Sequence, residues 1–226
     1  MGDSAAADAD PDGAAAWSGA RMRREPQQER SRARVRQILV AADRVLAFEG
    51  FEALTVRRIA QSAGVPVGSI YQFFPDKAAV IDALARTYIE EFEAAIGELT
   101  EAARGAVWQD PVQTLVDAFA QMYRSRPGYV ALWAGRHLSP QLARVDEANN
   151  AAIADGVRQV LIAQTGLPDG VALARISRLA VVVADALLQF AFQDGPDGDE
   201  FVLDELKVLL RLYLVDVTRR LTADGA

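Results

Sequence analysis

The segment 54–77, LTVRRIAQSAGVPVGSIYQFFPDK, constrains the fold of this chain most, because it has the pattern of two short helices separated by a tight turn. Thr55 is placed to cap the first helix, in which apolar residues recur at i, i+3, i+4 and i+7. Gly64 can adopt the left-handed conformation that ends a helix, and Pro66 suits the first position of a second helix, expected over residues 67–74. Two helices arranged in this way form a helix-turn-helix, whose second helix can enter the major groove of DNA.

Apolar residues continue at helical spacing on both sides of this segment. They predict an earlier helix from about Val35 to Gly50 and, after a cap at Asp76, a fourth helix that runs to about Thr100. The fourth helix would therefore connect the helix-turn-helix to the remainder of the chain. A core that holds the helix-turn-helix rigid is expected from Phe48, Phe51, Leu54, Ile59, Ile70 and Phe74.

The rest of the chain also has helical patterns, since no segment keeps the two-residue alternation of a half-buried strand. Helices are predicted over residues 112–124, 129–138, 139–164, 169–192 and 201–221. We therefore predict an all-α fold with an N-terminal three-helix helix-turn-helix DNA-binding domain at 29–75. A C-terminal helical ligand-binding and dimerisation domain is expected at 76–226, and a disordered tail with a basic arm at 1–28.

Charge is distributed unevenly along the chain, whose net charge is −7. Residues 21–80 contain 11 Lys or Arg and six acids, whereas residues 81–226 carry a net charge of −8. A basic block beside a helix-turn-helix favours contact with the phosphates of DNA, and an acidic remainder limits indiscriminate binding. An ordinary solvated basic surface is the alternative interpretation.

Composition disfavours several other classes of protein. The absence of cysteine and the presence of one histidine leave little scope for metal sites or nucleophilic catalysis. Asp185 interrupts the longest apolar stretch, residues 179–192, and the acidic residues 1–20 do not resemble a signal peptide. We therefore expect a cytoplasmic protein that is not an enzyme, has no cofactor and does not enter a membrane. An all-α ligand carrier or enzyme with a fortuitous helix-turn-helix is the alternative.

The residues IAQSAGVPVGSIYQFFPDK resemble the TetR family of bacterial transcriptional regulators, whose pattern is roughly IA–AGVS–GT–Y–F–K. The resemblance covers about residues 35–85. It departs from the family pattern at Pro66, where the family often has Ser, and at Gln72, where it often has His. The resemblance implies a homodimeric regulator, most often a repressor, that binds a palindromic operator in double-stranded DNA. It also implies a small-molecule effector that releases the DNA.

Phosphate contacts are expected beside the helix starts, where a hydroxyl or ammonium group can position the protein without reading sequence. Thr55 and Tyr71 supply hydroxyl groups there, although Tyr71 could instead be half-buried packing. Lys77 lies in the first turn of the fourth helix, where a cation is unfavourable for the helix dipole unless an external anion is present. The family resemblance implies that this anion is a phosphate of DNA.

Base contacts are expected from the second helix of the pair. Gln72 can bind adenine through two hydrogen bonds, Val67 can contact the methyl group of thymine, and Ser69 is a third candidate. Phe73 either stacks on sugars or lies beneath the helix, and the sequence does not choose between these positions. The complete set of predicted DNA-binding residues is Arg34, Thr55, Arg57, Arg58, Pro66, Val67, Gly68, Ser69, Tyr71, Gln72, Phe73 and Lys77.

Large side chains in the C-terminal helices predict a pocket for an apolar or aromatic effector, although aromatic residues at helical spacing are more often core. Asp185 is the sharpest candidate because a carboxylate in the apolar context VVVADALLQF needs a partner. A ligand cation, Arg136 or Arg178, and a second subunit are the alternatives for that partner. The predicted ligand-binding residues are Tyr88, Phe92, Phe119, Met122, Tyr123, Trp133, His137, Asn149, Asp185 and Gln189. A structural role is the alternative for His137.

The last two predicted helices are apolar on more than one face. In the first of them, Val181, Val182, Phe190 and Phe192 lie outside the main apolar stripe. A helix that is apolar all round must be covered on all sides. We therefore predict a homodimer in which the last two helices of each chain form a four-helix bundle. A centrally buried helix in a monomer is the alternative.

Overall fold

The computed structural model describes residues 29–135 and 140–223, and within these residues it contains helices and no strand. The helices are α1 (Glu29–Ala53), α2 (Val56–Ala63), α3 (Val67–Tyr71), α4 (Lys77–Gly105), α5 (Pro111–Ser125), α6 (Gly128–Ala134), α7 (Pro140–Thr165), α8 (Val171–Ala191) and α9 (Glu200–Ala223). The predicted all-α fold is confirmed. The predicted tail and arm at residues 1–28, together with His137, lie outside the described residues.

Local signals in the sequence account for the ends of α2. The Oγ1 atom of Thr55 accepts a hydrogen bond from the backbone N–H of Arg58 at 3.1 Å, which satisfies a donor at the helix start. Gly64 follows the helix with φ 65° and ψ 34°, the left-handed conformation that glycine adopts at little cost. Both predictions are confirmed.

Helix α3 differs from its predicted extent at both ends. Pro66 lies just before the helix, as its N-terminal cap residue, and not at the first helical position. The helix ends at Tyr71, three residues earlier than predicted, although the backbone N–H of Phe74 still bonds to the carbonyl of Ile70 at 2.9 Å. Pro75 explains the early end, because a residue that precedes proline is disfavoured in the helical conformation.

The first three helices enclose a core close to the predicted one. Leu54, Ile59, Ile70 and Phe74 are fully buried. Phe48 is a wrong prediction, because 84% of its surface is exposed. The backbone leaves helical geometry at Gly50, with φ 82°, so the chain turns after Phe48 and the following residues fill the core instead.

Helix α4 passes from the helix-turn-helix into the rest of the protein. Asp76 caps its first turn by accepting a hydrogen bond from the N–H of Ala79 at 2.9 Å, as predicted. The helix extends to Gly105, five residues beyond the predicted end. It packs along α7, while α1 packs against α6, so the two parts of the chain meet at more than one place.

Helices α8 and α9 lie side by side and retain apolar side chains on their outer faces. Val182 and Phe190 are exposed as the sequence pattern predicts, whereas Val181 and Phe192 are buried within the chain. The exposed large apolar residues of these two helices are Val171, Leu179, Val182, Phe190, Phe201, Val208, Leu209, Leu212 and Val215. No helix of the described residues is both long and apolar enough to cross a membrane.

Candidate DNA interface and effector cavity

Helix α3 presents a continuous polar and apolar surface to solvent, which we call the recognition surface. It consists of Pro66, Val67, Gly68, Ser69, Tyr71 and Gln72, all exposed except Ser69, which is half-buried. Beneath it, Ile70 and Phe74 anchor the helix in the core. Phe73 is also buried, with 8% of its surface exposed, so it lies under the helix and is not available to stack on sugars.

The arginines near the recognition surface differ in how firmly they are held. Arg57 is exposed and makes no hydrogen bond or ion pair with another described residue. The guanidinium of Arg58 instead donates to Glu49 at 2.7 Å and to Gln61 at 2.6 Å. Its hydrogen bond lowers the pKa of the Glu49 carboxyl. Arg57 is therefore free to reorient toward a phosphate, whereas Arg58 must first leave its partners.

Lys77 is tied to the chain that precedes α2. Its Nζ donates to the carbonyl of Phe51 at 3.2 Å and lies 4.9 Å from the centre of the Phe51 ring. Partial burial lowers the pKa of this ammonium group. An ammonium group has three donors, so this internal bond leaves capacity for an external anion.

Arg34 takes part in a chain of hydrogen bonds between two helices. Its Nη1 donates to Oε1 of Gln37 at 2.8 Å, and Nε2 of Gln37 donates to the carbonyl of Ala63 at 2.7 Å. The chain of bonds joins α1 to the end of α2. Arg34 therefore lies beside the turn of the helix-turn-helix while its side chain remains exposed.

An aromatic cavity of about 70 Å³ lies among α4, α5, α6, α7, α8 and α9. Four of the predicted ligand-binding residues line it, namely Phe92, Phe119, Tyr123 and Asp185. The other lining residues were not predicted from the sequence, and they are Leu115, Val116, Tyr129, Asn150, Ile153, Val157, Ala180, Val181, Ala184, Leu188 and Leu210. Most of these are aliphatic, and helical spacing alone does not distinguish a cavity wall from ordinary core.

The rings of the aromatic cavity contact one another. The ring centres of Phe92 and Tyr129 are 4.9 Å apart and the rings are stacked, and those of Tyr123 and Tyr129 are 4.7 Å apart. Phe119 stacks on Phe92 at 5.9 Å. Tyr129 is therefore central to the cluster, and the only sequence signal for it was the aromatic character of its short helix.

Asp185 is the one carboxylate among the described residues that line the aromatic cavity. It accepts a hydrogen bond from the hydroxyl of Tyr123 at 3.1 Å and another from Nε2 of Gln189 at 2.7 Å. Arg178, one predicted partner, instead pairs with Glu147 at 3.2 Å, and Arg136 lies outside the described residues. Burial, the neighbouring Tyr129 and the Asp185 carboxylate together raise the pKa of Tyr123.

Of the remaining predicted ligand-binding residues, those that the structure describes do not line the aromatic cavity. Met122 and Trp133 pack in the core, and Gln189 donates a hydrogen bond to Asp185. Asn149 lines a separate cavity of about 410 Å³ between α4 and α7, and its amide has no hydrogen-bond partner among the described residues. Tyr88 is buried and belongs to a different structural feature.

That feature, which we call the junction, consists of Asp43, Tyr88 and Gly128 and joins α1 to α4 and α6. The buried carboxylate of Asp43 accepts hydrogen bonds from the hydroxyl of Tyr88 and, at 3.2 Å, from the N–H of Gly128. Burial raises the pKa of this carboxyl. A Cβ atom at Gly128 would lie 2.6 Å from the carbonyl oxygen of Asp43, so only glycine permits this approach. Tyr129 follows Gly128 directly, and the junction is therefore adjacent to the aromatic cavity.

Asp43 was not predicted from the sequence as a functional residue. Its one signal was a carboxylate among the apolar positions of α1, in VAADRVL. Among residues 29–135 and 140–223, no group of three or more His, Cys, Asp and Glu side chains is arranged to hold a metal ion.

Comparison with known proteins agrees with this geometry. Residues 38–84 match the family described as bacterial regulatory proteins of the tetR family, and residues 106–217 match the tetracyclin repressor-like C-terminal domain. The HTH-type transcriptional repressor Rv1474c of Mycobacterium tuberculosis is 33% identical over 132 residues, which are 56% of this chain and 70% of that protein.

Solved structures show the same relationship. A TetR-family transcriptional regulator from Streptomyces coelicolor superposes with a TM-score of 0.60 and 32% identity, covering 82% of this chain and 98% of that one. A TetR transcription regulator from Haloarcula marismortui, with a TM-score of 0.64, 18% identity and coverage of 80% and 96%, shares the fold. The chain therefore belongs to the TetR family and is a DNA-binding transcriptional regulator.

Proposed function

We propose that this regulator is a homodimeric repressor that binds a palindromic operator and is released by a small effector. The observation that carries the proposal is the combination of an exposed recognition surface on a fully packed core with a cavity in the region behind it. The related protein from Mycobacterium tuberculosis is named a repressor, which supports the direction of regulation. We also propose that the protein acts in the cytoplasm, and that it acts by binding and not by catalysis.

In the proposed complex the recognition surface enters the major groove. Val67, Ser69 and Gln72 contact base edges, and Gly68 allows the backbone to approach the DNA. Tyr71 contacts a phosphate, since its ring is exposed beside the groove-facing residues. Pro66 presents no backbone donor and sets the direction from which the helix enters.

Phosphate contacts at the edge of the groove position the recognition surface. We assign them to Thr55, Arg57 and Lys77, with contributions from Arg34 and Arg58. Arg57 is exposed without a described partner, so it can bind a phosphate without breaking another contact. Lys77 binds Phe51 and a phosphate together, which fixes the start of α4 relative to the DNA.

The proposed dimer forms through the outer faces of α8 and α9. Leu212 and Val215 on α9 are 65% and 69% exposed, and Val182 and Phe190 extend the apolar surface onto α8. A contiguous apolar surface of this kind on a folded chain marks a contact with another protein. Two copies of the same surface related by a two-fold axis match the symmetry of a palindromic operator. Sedimentation at the mass of one chain at micromolar concentration would contradict the dimer.

The proposed effector binds in the aromatic cavity and acts on DNA affinity through the junction. An effector that moves Tyr129 also displaces Gly128, whose N–H holds Asp43 on α1. Tyr88 on α4 is bound to the same carboxylate, so α1 and α4 move together. A coupling free energy of about 1–3 kcal/mol between the two sites is typical of such regulation.

DNA binding tests the proposal directly. Fluorescence anisotropy with fragments flanking the protein's own gene should show saturable binding to one palindromic fragment, with log affinity that falls linearly with log salt concentration. Arg57→Ala should weaken binding and reduce the salt slope by about one, because one phosphate contact is lost. Tyr71→Ala should weaken binding and leave that slope nearly unchanged, since the hydroxyl carries no charge.

Arg104→Ala is the matched control, since it removes the same charge from an exposed position at the far end of α4. It should leave both affinity and slope unchanged. The proposed interface would be contradicted if the unaltered protein bound every fragment weakly and Arg57→Ala changed binding no more than Arg104→Ala did.

A further inference from the structure

The aromatic cavity contains a carboxylate whose negative charge is not balanced by a described residue. Asp185 lines the cavity wall, and its oxygens accept hydrogen bonds from two neutral donors, Tyr123 and Gln189. No lysine or arginine of residues 29–135 and 140–223 forms an ion pair with it. Ionised side chains in apolar surroundings are ordinarily paired with an opposite charge, because removing a charge from water is costly. These two hydrogen bonds orient the carboxyl group without placing a positive charge beside it.

The aromatic rings around Asp185 also favour a positively charged ligand. Phe92, Phe119, Tyr123 and Tyr129 all line the cavity, and their faces carry the negative side of the aromatic quadrupole. Such faces attract cations most strongly when water is excluded from between them. A carboxylate and four aromatic rings around one space therefore make it electrostatically suited to a cation and unfavourable for an anion.

The size of the cavity limits the cation to a compact one. A neighbouring cavity of about 60 Å³ shares Leu115, Val157, Ala180 and Leu210 with the aromatic cavity of about 70 Å³. The two spaces therefore adjoin. An apolar protein cavity of about 150 Å³ holds a benzene molecule, and the two adjoining spaces together are slightly smaller, about 130 Å³. They therefore suit a cation of about six heavy atoms, namely a small ring or short alkyl chain that carries an ammonium group.

We propose that the effector of this regulator is a lipophilic cation, whose charged group lies against Asp185 among the aromatic rings that line the cavity. This inference rests on the proposed function, because it specifies the ligand of the same cavity. The apolar body of the cation occupies the space toward α5 and α9. A neutral ligand of the same shape leaves the charge of Asp185 unpaired and binds less tightly.

Two probes of equal shape test the role of charge. Cyclopentylammonium and methylcyclopentane have the same heavy-atom shape and differ in one group, an ammonium or a methyl, and hence in one positive charge. Titration calorimetry with the full chain should show that the cation binds about tenfold or more tightly than its neutral isostere. The Asp185→Asn variant should lose this preference while it keeps its affinity for methylcyclopentane, which shows that the cavity is intact.

Asp194→Asn is the control variant, since it removes a carboxylate from an exposed position just beyond α8. It should retain the preference for the cation. If Asp185→Asn fails to fold, the comparison of the two probes on the unaltered protein still decides the question. Equal affinity for both probes, no binding of the cation, or a preference that survives in Asp185→Asn would overturn the inference.

The same samples separate this inference from the proposed function. Anisotropy with the DNA fragment measures whether each probe releases the protein. Release by methylcyclopentane as effectively as by the cation would overturn the cation inference and support effector-controlled repression. If the protein without any probe does not bind the DNA fragment specifically, the proposed function itself is contradicted.

Discussion

In residues 29–75 the core side chains of Leu54, Ile59, Ile70 and Phe74 are fully buried, whereas described residues after position 76 line cavities. Among the described residues, every buried side-chain nitrogen or oxygen that lacks a hydrogen-bond partner belongs to the second region. These atoms are Nε1 of Trp133, the amide of Asn149 and Oγ of Ser177. Tight packing keeps a reading surface in one conformation, while incomplete packing leaves room for a ligand and for rearrangement.

The two regions meet at the junction, which shares features of both. Asp43 is 9% exposed and its carboxylate is satisfied, as in the first region. Its hydrogen-bond donors, however, come from α4 and α6 of the second region. A movement around the cavity therefore has a direct route to α1, and the regions differ in packing without being independent.

Truncation of a large side chain should show the largest difference between the regions. Phe74→Ala should lower the free energy of unfolding by about 3–5 kcal/mol, because it leaves a void in a closed core. Phe119→Ala should cost less, since Phe119 already borders empty space and loses fewer contacts. Denaturant unfolding of both variants measures the difference. Equal losses would show that the two interiors are packed alike.

Addition of one methyl group at the junction should have the next largest effect. Gly128→Ala should destabilise the protein by about 3 kcal/mol, at the upper end for overpacking, because the new Cβ meets the backbone of Asp43. Gly97→Ala is the matched control, since Gly97 lies within α4 and a Cβ there meets nothing within 4 Å. That change should stabilise the helix by up to about 1 kcal/mol. Thermal unfolding of the two variants should move in opposite directions.

Enlarging a buried alanine should distinguish a closed core from a cavity wall. Ala60→Val should destabilise by about 1–2 kcal/mol, because Ala60 is buried in the core and two added methyl groups would overpack it. Ala184→Val, in the wall of the aromatic cavity, should be neutral or slightly stabilising and should weaken effector binding. Unfolding free energies and calorimetric titration check both parts. A destabilisation by Ala184→Val equal to that by Ala60→Val would contradict the comparison.

The smallest expected effect is a dependence of stability on pH at the junction. Because burial raises the pKa of Asp43 above its usual 3.8, the folded protein binds a proton there more tightly than the unfolded chain. The free energy of unfolding of the unaltered protein, relative to that of Asp43→Asn, should therefore rise as pH falls through the raised pKa. This increase should be complete below the usual pKa. Above the raised pKa the difference should be constant. Asp194→Asn keeps Asp43, so its stability should depend on pH as that of the unaltered protein does. If the stability of Asp43→Asn also ran parallel to that of the unaltered protein across the pH range, the raised pKa of Asp43 would be contradicted.

Capping and turn residues explain why the helix-turn-helix could be predicted from its sequence. Thr55, Gly64 and Asp76 act on groups within a few residues of themselves, so their roles depend on local geometry. Phe48 shows where such reasoning failed. Its spacing suited the core, but the left-handed conformation of Gly50 redirected the chain, and Phe48 remained exposed.

The region around the aromatic cavity was less predictable for a physical reason. Its aromatic residues have the same helical spacing whether they fill a core or border a cavity. Phe92 and Tyr123 line the aromatic cavity, whereas Tyr88 and Trp133, with similar sequence signals, do not. The difference depends on the positions of six helices, which no short segment contains.

The sequence by itself determined the all-α class, the helix-turn-helix and the residues that form the recognition surface, because helix periodicity and capping are local properties. Only the tertiary structure decided that Asp43 is bound by Tyr88 and Gly128, which lie 45 and 85 residues away in the chain. It also decided that Asp185 faces aromatic rings and not an arginine of the described residues. Such pairings depend on how whole helices pack together, and long-range packing is not encoded in the pattern of any one helix.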